Sequence, residues 1–155
     1  MPRLAGAIDT ALLEALRACF PTGDKARLIS VQPYLMAAFN CWRARVEQTG
    51  AWLLLAEPER ACIALYGKGH WQTVLNTRGS SVTQEDWAAL LDRERHRVVD
   101  VGPAHAVLVH DAHGNATRSP RVGDWIFERL SLPPIDGYRP LEDGRYSMAL
   151  SAGQT

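Results

Sequence analysis

Apolar residues recur along this chain first at helical spacing, then in short continuous runs, and then at helical spacing again. Leu12, Leu13, Leu16, Cys19 and Phe20 share one helical face, with Asp9 or Thr10 placed to cap it and Pro21-Thr22-Gly23 to end it. Arg27 to Val31 reads as a short strand closing at Pro33. A second helix is expected from Tyr34 to Val46, with Leu35, Ala38, Phe39 and Trp42 as its apolar stripe and Arg43, Arg45 and Glu47 at its solvated end. Trp52-Leu53-Leu54-Leu55 is apolar without alternation, the pattern of a strand covered on both faces.

A turn at Glu57-Pro58-Glu59-Arg60 leads into a second apolar run from Cys62 to Tyr66. Gly67-Lys68-Gly69 is a further turn, and Trp71 to Asn76 completes an antiparallel three-strand meander. Thr83 with Asp86 three residues on has the form of a capping box. The helix it opens points Trp87, Leu90 and Leu91 inward and ends in Asp92 to Arg97, a run of alternating charge expected to face solvent. Ala104 to Val109 reads as another strand, followed by a turn around His113-Gly114-Asn115. Trp125 to Leu130 fits either a strand or a helix, and the alternation of Trp125, Phe127 and Arg129 favours the strand. Beyond Pro133-Pro134 the chain reads as loop, pinned by Tyr138, Leu141, Tyr146 and Met148. Together these elements predict one α/β domain over residues 1–155, a mixed sheet with flanking helices, with 1–8 and 138–155 irregular.

Composition narrows the function classes. The chain has 155 residues, 46% hydrophobic and 22% charged, as expected of a globular domain. Seventeen Lys and Arg balance seventeen Asp and Glu, so no global field draws nucleic acid or anionic lipid. Arg43, Arg45, Arg93, Arg95 and Arg97 are interleaved with acids, which favours a solvated face over a nucleic-acid patch. Three cysteines, Cys19, Cys41 and Cys62, form no CxxC pair, and each sits in an apolar pattern as a small hydrophobe would. This composition fits a reducing cytoplasm. Asp9 and Glu14 interrupt what could otherwise pass for a signal peptide, and Ala51 to Ala56 is too short to span a bilayer.

Candidate chemistry is sparse. His105, His110, Asp111 and His113 form the best metal-like cluster, with His110, Asp111 and His113 as the candidate ligands. Strand alternation, however, sends His110 and Asp111 to opposite faces. Cys41 and Cys62 lie in apolar elements, unlike activated nucleophiles. Trp42, Trp52, Trp71, Trp87 and Trp125 each fall where a core side chain would, with one or two free to be half exposed at an interface.

The order helix, strand, helix, three-strand meander, helix, strand resembles the middle of the actin-like ATPase fold, a ribonuclease H-like lobe. The similarity is to its pilus and type II secretion assembly branch in particular. Leu12–Phe20 and Arg27–Val31 would end one lobe, Tyr34–Val46 would cross over, and Trp52–Thr77 would open the second. Ser30-Val31-Gln32-Pro33 followed by Leu35–Asn40 is the closest local match, and the likeness covers roughly residues 10 to 100.

In nucleotide-binding members the first meander hairpin reads Asp-x-Gly-x-x-x-Thr/Ser. The carboxylate there addresses a metal or its water, and open amides meet phosphate. Laid on this chain, the Asp falls at Ala56, the Gly at Pro58 and the Thr at Cys62. The resemblance therefore implies a degenerate phosphate loop: no nucleotide, no cofactor and no catalysis. It also implies a chain that enters the first lobe midway and lacks that lobe's own hairpin. The expected function is a protein-interaction or assembly module, with a protein partner or self-association, linked to pili or secretion. The alternative is a small metal-binding or hydrolytic enzyme using the His105–His113 region.

Overall fold

The computed structural model describes residues 6–21, 28, 31–78, 83–98, 105–112, 120–132 and 147–148. Its centre is a mixed six-stranded sheet in the order β3-β2-β1-β4-β6-β5. The strands are β1 (Trp52–Glu57), β2 (Arg60–Gly67), β3 (His70–Arg78), β4 (Ala106–Asp111), β5 (Arg121–Val122) and β6 (Trp125–Arg129). The first three form the antiparallel meander, β4 lies parallel to β1 and β6 parallel to β4, and β5 returns antiparallel on β6. The expected α/β class and meander are present.

The central strand explains the layering. Leu53 and Leu54 of β1 are both 0% exposed although they point to opposite faces. Each face must therefore be covered. On one, the helix α2 (Tyr34–Thr49) packs Leu35, Ala38, Phe39 and Val46 over Leu53, Leu55, Ala64 and Leu108. On the other, α3 (Gln84–Arg95) packs Trp87, Ala88 and Leu91 over Leu54, Ile63, Val109 and Phe127.

Local chemistry sets the element ends. Thr83 caps α3 through the expected box, its hydroxyl accepting from the Asp86 amide while Asp86 accepts from the Thr83 amide. These bonds from the Thr83 backbone and hydroxyl hold the Asp86 carboxyl below its ordinary pKa. The β2–β3 hairpin turns on Lys68 (φ 54°) and Gly69 (φ 80°), the left-handed pair that a tight primed turn demands. In α2, Trp42 departs from helical geometry (φ −121°, ψ 19°), and the helix continues past this kink to Gly50, a left-handed cap.

Two expectations change. The helix α1 (Thr10–Ala18) forms with Asp9 as its cap, but none of its residues is buried. Leu12 is 52% exposed and Cys19 is exposed too, while Leu13 and Leu16 are half-buried, so among the described residues the apolar face of α1 is only partly covered. The charged end of α3 is not simply solvated. Glu94 is only 4% exposed and sits between Arg93 and Arg97, while Asp92 accepts from the Trp125 indole at 3.1 Å. The guanidinium of Arg95 lies over that same ring, so part of the charge run seals the edge of the α3-side core.

The strand expected at Arg27–Val31 lies mostly outside the described residues, and the two described, Leu28 and Val31, belong to no strand. Of the residues expected to pin the tail, Met148 is described and fully buried against the α2 side, its sulfur 3.7 Å from Cys41 Sγ. Tyr138, Leu141 and Tyr146 lie outside the described residues, as does the turn at 113–115. Trp52, Trp87 and Trp125 are buried, whereas Trp42 and Trp71 are half-buried. Among the described residues no helix is long and apolar enough to cross a membrane.

Candidate functional site

The β1–β2 hairpin closes on only two residues, Pro58 and Glu59, with Glu57 opposite Arg60. Proline fixes its own φ near −65° and carries no N–H, and neither turn residue has positive φ. The turn is therefore of the unprimed kind, which splays its strands. Glu57 and Arg60 bridge the gap with an ion pair of 2.8 Å. At this end the hairpin thus presents a carboxylate engaged with a guanidinium, and Pro58 contributes no amide for an anion to approach.

Strand register aligns a row of side chains on the α2 face. Asn76 lies opposite Cys62, Cys62 opposite Leu55, and Leu55 opposite His110, so four strands contribute one position each. The start of α2 lies above this row. Between it and the hairpin is a pocket of about 700 Å³, with Leu55, Cys62 and Val74 in its floor, Leu35 and Met36 in its roof, and Glu57, Arg60 and Arg78 at its rim. The N-terminal segment closes one side tightly, since a Cβ on Gly6 would come within 3.1 Å of Pro33 Cγ.

At the other end of the row, His110 is 4% exposed beneath the rings of Tyr34 and Trp42, at centroid distances of 6.1 and 5.0 Å. Burial lowers its pKa, and nearby Arg129 acts in the same sense. A hydrogen bond with the Leu130 backbone and the charge of Asp111 oppose the shift without reversing it. A histidine whose folded pKa lies below its unfolded value of about 6.5 binds its proton more readily in the unfolded chain. Its contribution to stability is therefore complete above pH 6.5 and is lost as the pH falls below it. We expect the urea midpoint of the wild-type protein to fall relative to that of His110→Gln between pH 7 and pH 5. Parallel pH profiles would contradict this burial.

The structure separates most of the sequence candidates. His110 faces α2, whereas His105 faces the other side, 6.1 Å from the Trp125 ring. His105 and Asp111 lie at opposite ends of β4, and His113 is outside the described residues. Among the described residues no group of three His, Cys, Asp or Glu converges to hold a metal. Burial pushes the Cys62 thiol up to about 11 and raises Cys41 as well, so neither is a thiolate at neutral pH. Ala56 is buried, paired with Ala61 and Asp111, and sits with Pro58 and Cys62 around the hairpin.

Arg43, Arg45, Arg93, Arg95 and Arg97 each meet a carboxylate, of Glu47, Glu128, Glu94, Asp92 and Glu94 respectively. The residues that sequence reasoning missed are Arg78 and Val74. Their place at the pocket follows from β2–β3 register, which no local pattern in the sequence reveals.

Comparison with known proteins finds no matching family model, no matching curated protein and no matching solved structure.

Proposed function

We propose that this chain is a non-catalytic interaction or assembly module, built as a degenerate lobe of the actin-like, ribonuclease H-like kind and acting in a pilus or secretion setting. The observation that carries the reading is the β1–β2 hairpin. On this reading it stands where a phosphate loop would; in the structure it heads an antiparallel meander whose first strand runs parallel to β4. Yet it presents buried Ala56, amide-free Pro58 and a Glu57–Arg60 ion pair. A working phosphate loop needs open amides and a free carboxylate, and Pro58 and the paired Glu57 supply neither.

Association is supported by what the fold leaves open. The strand β3 ends the sheet with nine residues, Leu12 is exposed on α1, and Ile8 and Phe20 are exposed on either side of that helix in sequence. Sedimentation velocity is the test. Self-association or complex formation is expected, weakened by Leu12→Glu, while the unfolding free energy of that variant stays within about 0.5 kcal/mol of wild type. A chain that remains monomeric at every concentration and whose partner binding ignores Leu12→Glu would overturn the role given to α1.

Among the described residues the hydrolytic or metal-binding alternative draws no support from geometry, because His105 and His110 face opposite sides of the sheet and no three ligand-type side chains converge.

A further inference from the structure

We propose that the pocket between the β1–β2 hairpin and the start of α2 binds a small amphiphilic anion, an organic carboxylate or sulfonate with an apolar body, held through Arg78 beside Arg60. The proposal rests on the preceding reading in one respect: the pocket is not taken by nucleotide.

Size and lining define the apolar part. A volume of about 700 Å³ lies within the usual range of small-molecule sites. Leu35 and Met36 face Leu55 and Val74 across it, so a hydrocarbon or aromatic body would be enclosed on two sides by apolar side chains.

The rim defines the head group. Arg60 and Arg78 stand directly opposite each other on β2 and β3. Like charges at such a position destabilise a sheet. Glu57 compensates Arg60 at 2.8 Å, whereas Arg78 makes no ion pair among the described residues. Two guanidinium groups against one carboxylate leave a single positive charge at the rim, enough for a monoanion and poorly matched to a polyphosphate.

The planar fork of a guanidinium suits a carboxylate or sulfonate, which can accept two hydrogen bonds from it. The start of α2 adds a field of the same sign, since Pro33 provides no side-chain cap and the first turn carries no acidic residue. An anion bound at the mouth of the pocket would relieve the like-charge pair of Arg60 and Arg78.

Cys62 supplies an internal reporter, because it lines the pocket while Cys19 is exposed at the C-terminal cap of α1. The experiment is a fluorescence titration of the intact chain with 8-anilinonaphthalene-1-sulfonate. Saturable 1:1 binding is expected, displaced by decanoate but not by decanol, and accompanied by slower maleimide labelling of Cys62 with Cys19 unaffected.

Arg78→Gln should weaken the sulfonate at least about tenfold. It should leave the neutral probe N-phenyl-1-naphthylamine within about twofold, and raise the melting temperature by about 1–3 °C as the like-charge pair is removed. Unchanged sulfonate affinity in Arg78→Gln, equal displacement by decanol, or unprotected Cys62 would overturn the proposal and leave the absence of nucleotide chemistry standing. Displacement by Mg²⁺·ATP would instead overturn the preceding reading, so the two failures are distinguishable.

Discussion

Truncating Leu54 to alanine is expected to lower the unfolding free energy by about 2–5 kcal/mol, the range for a large-to-small change at a fully buried site. Leu54 is 0% exposed in the middle of β1, in register with Ile63 on one side and Val109 on the other. It belongs to the cluster that Trp87 and Leu91 of α3 cover, so the lost methyl groups would leave a cavity walled by β-strands that cannot collapse into it. Urea denaturation at neutral pH reads the effect. Leu12→Ala on exposed α1 is the matched control, with a change of less than about 0.5 kcal/mol. Similar losses for the two variants would mean that α1 is packed and the sheet is not the core.

Placing a carboxylate in the hairpin should be as damaging. Ala56→Asp is expected to destabilise the protein by about 3–5 kcal/mol, the cost of an uncompensated buried charge. Ala56 is 3% exposed, and its register neighbours are Ala61 and the carboxylate-bearing Asp111. Burial beside a like charge raises the folded pKa of the new carboxyl above its unfolded value of about 3.9. The variant therefore loses stability as the pH rises through that value, and it should be nearer to wild type at pH 4 than at pH 8. Ala56→Ser at pH 8, uncharged and nearly isosteric, should retain most of the stability. A variant Ala56→Asp as stable as wild type at pH 8 would mean that this position opens to solvent, as the metal-addressing carboxylate of a working phosphate loop must.

Much of this fold was legible because its main signals are local. Trp52 to Leu55 lacks alternation, and burial on both faces follows directly from that. Thr83 and Asp86 announce a helix start through bonds that span three residues. Gly67-Lys68-Gly69 contains its turn geometry within itself. What was not legible depends on distant partners. The stripe on α1 states that an apolar face exists, but only the folded chain shows that Leu12 is left more than half exposed.

Glu94 looked solvated because its neighbours are charged. It is buried because Arg93 and Arg97 fold over it, and Asp92 is drawn to the Trp125 indole from a strand more than thirty residues away. The candidate site divides in the same way. Pro58 declares in sequence that the hairpin lacks an amide. The pocket beside it required the register that sets Arg78 against Arg60 and the packing that brings the start of α2 over Val74 and Cys62.

The central proposal is that the hairpin from Ala56 to Cys62 does not serve nucleotide chemistry. Calorimetric titration of Mg²⁺·ATP into the intact wild-type chain tests it most directly. No heat beyond dilution is expected, corresponding to a Kd weaker than about 1 mM. Saturable 1:1 binding in the micromolar range would contradict the claim.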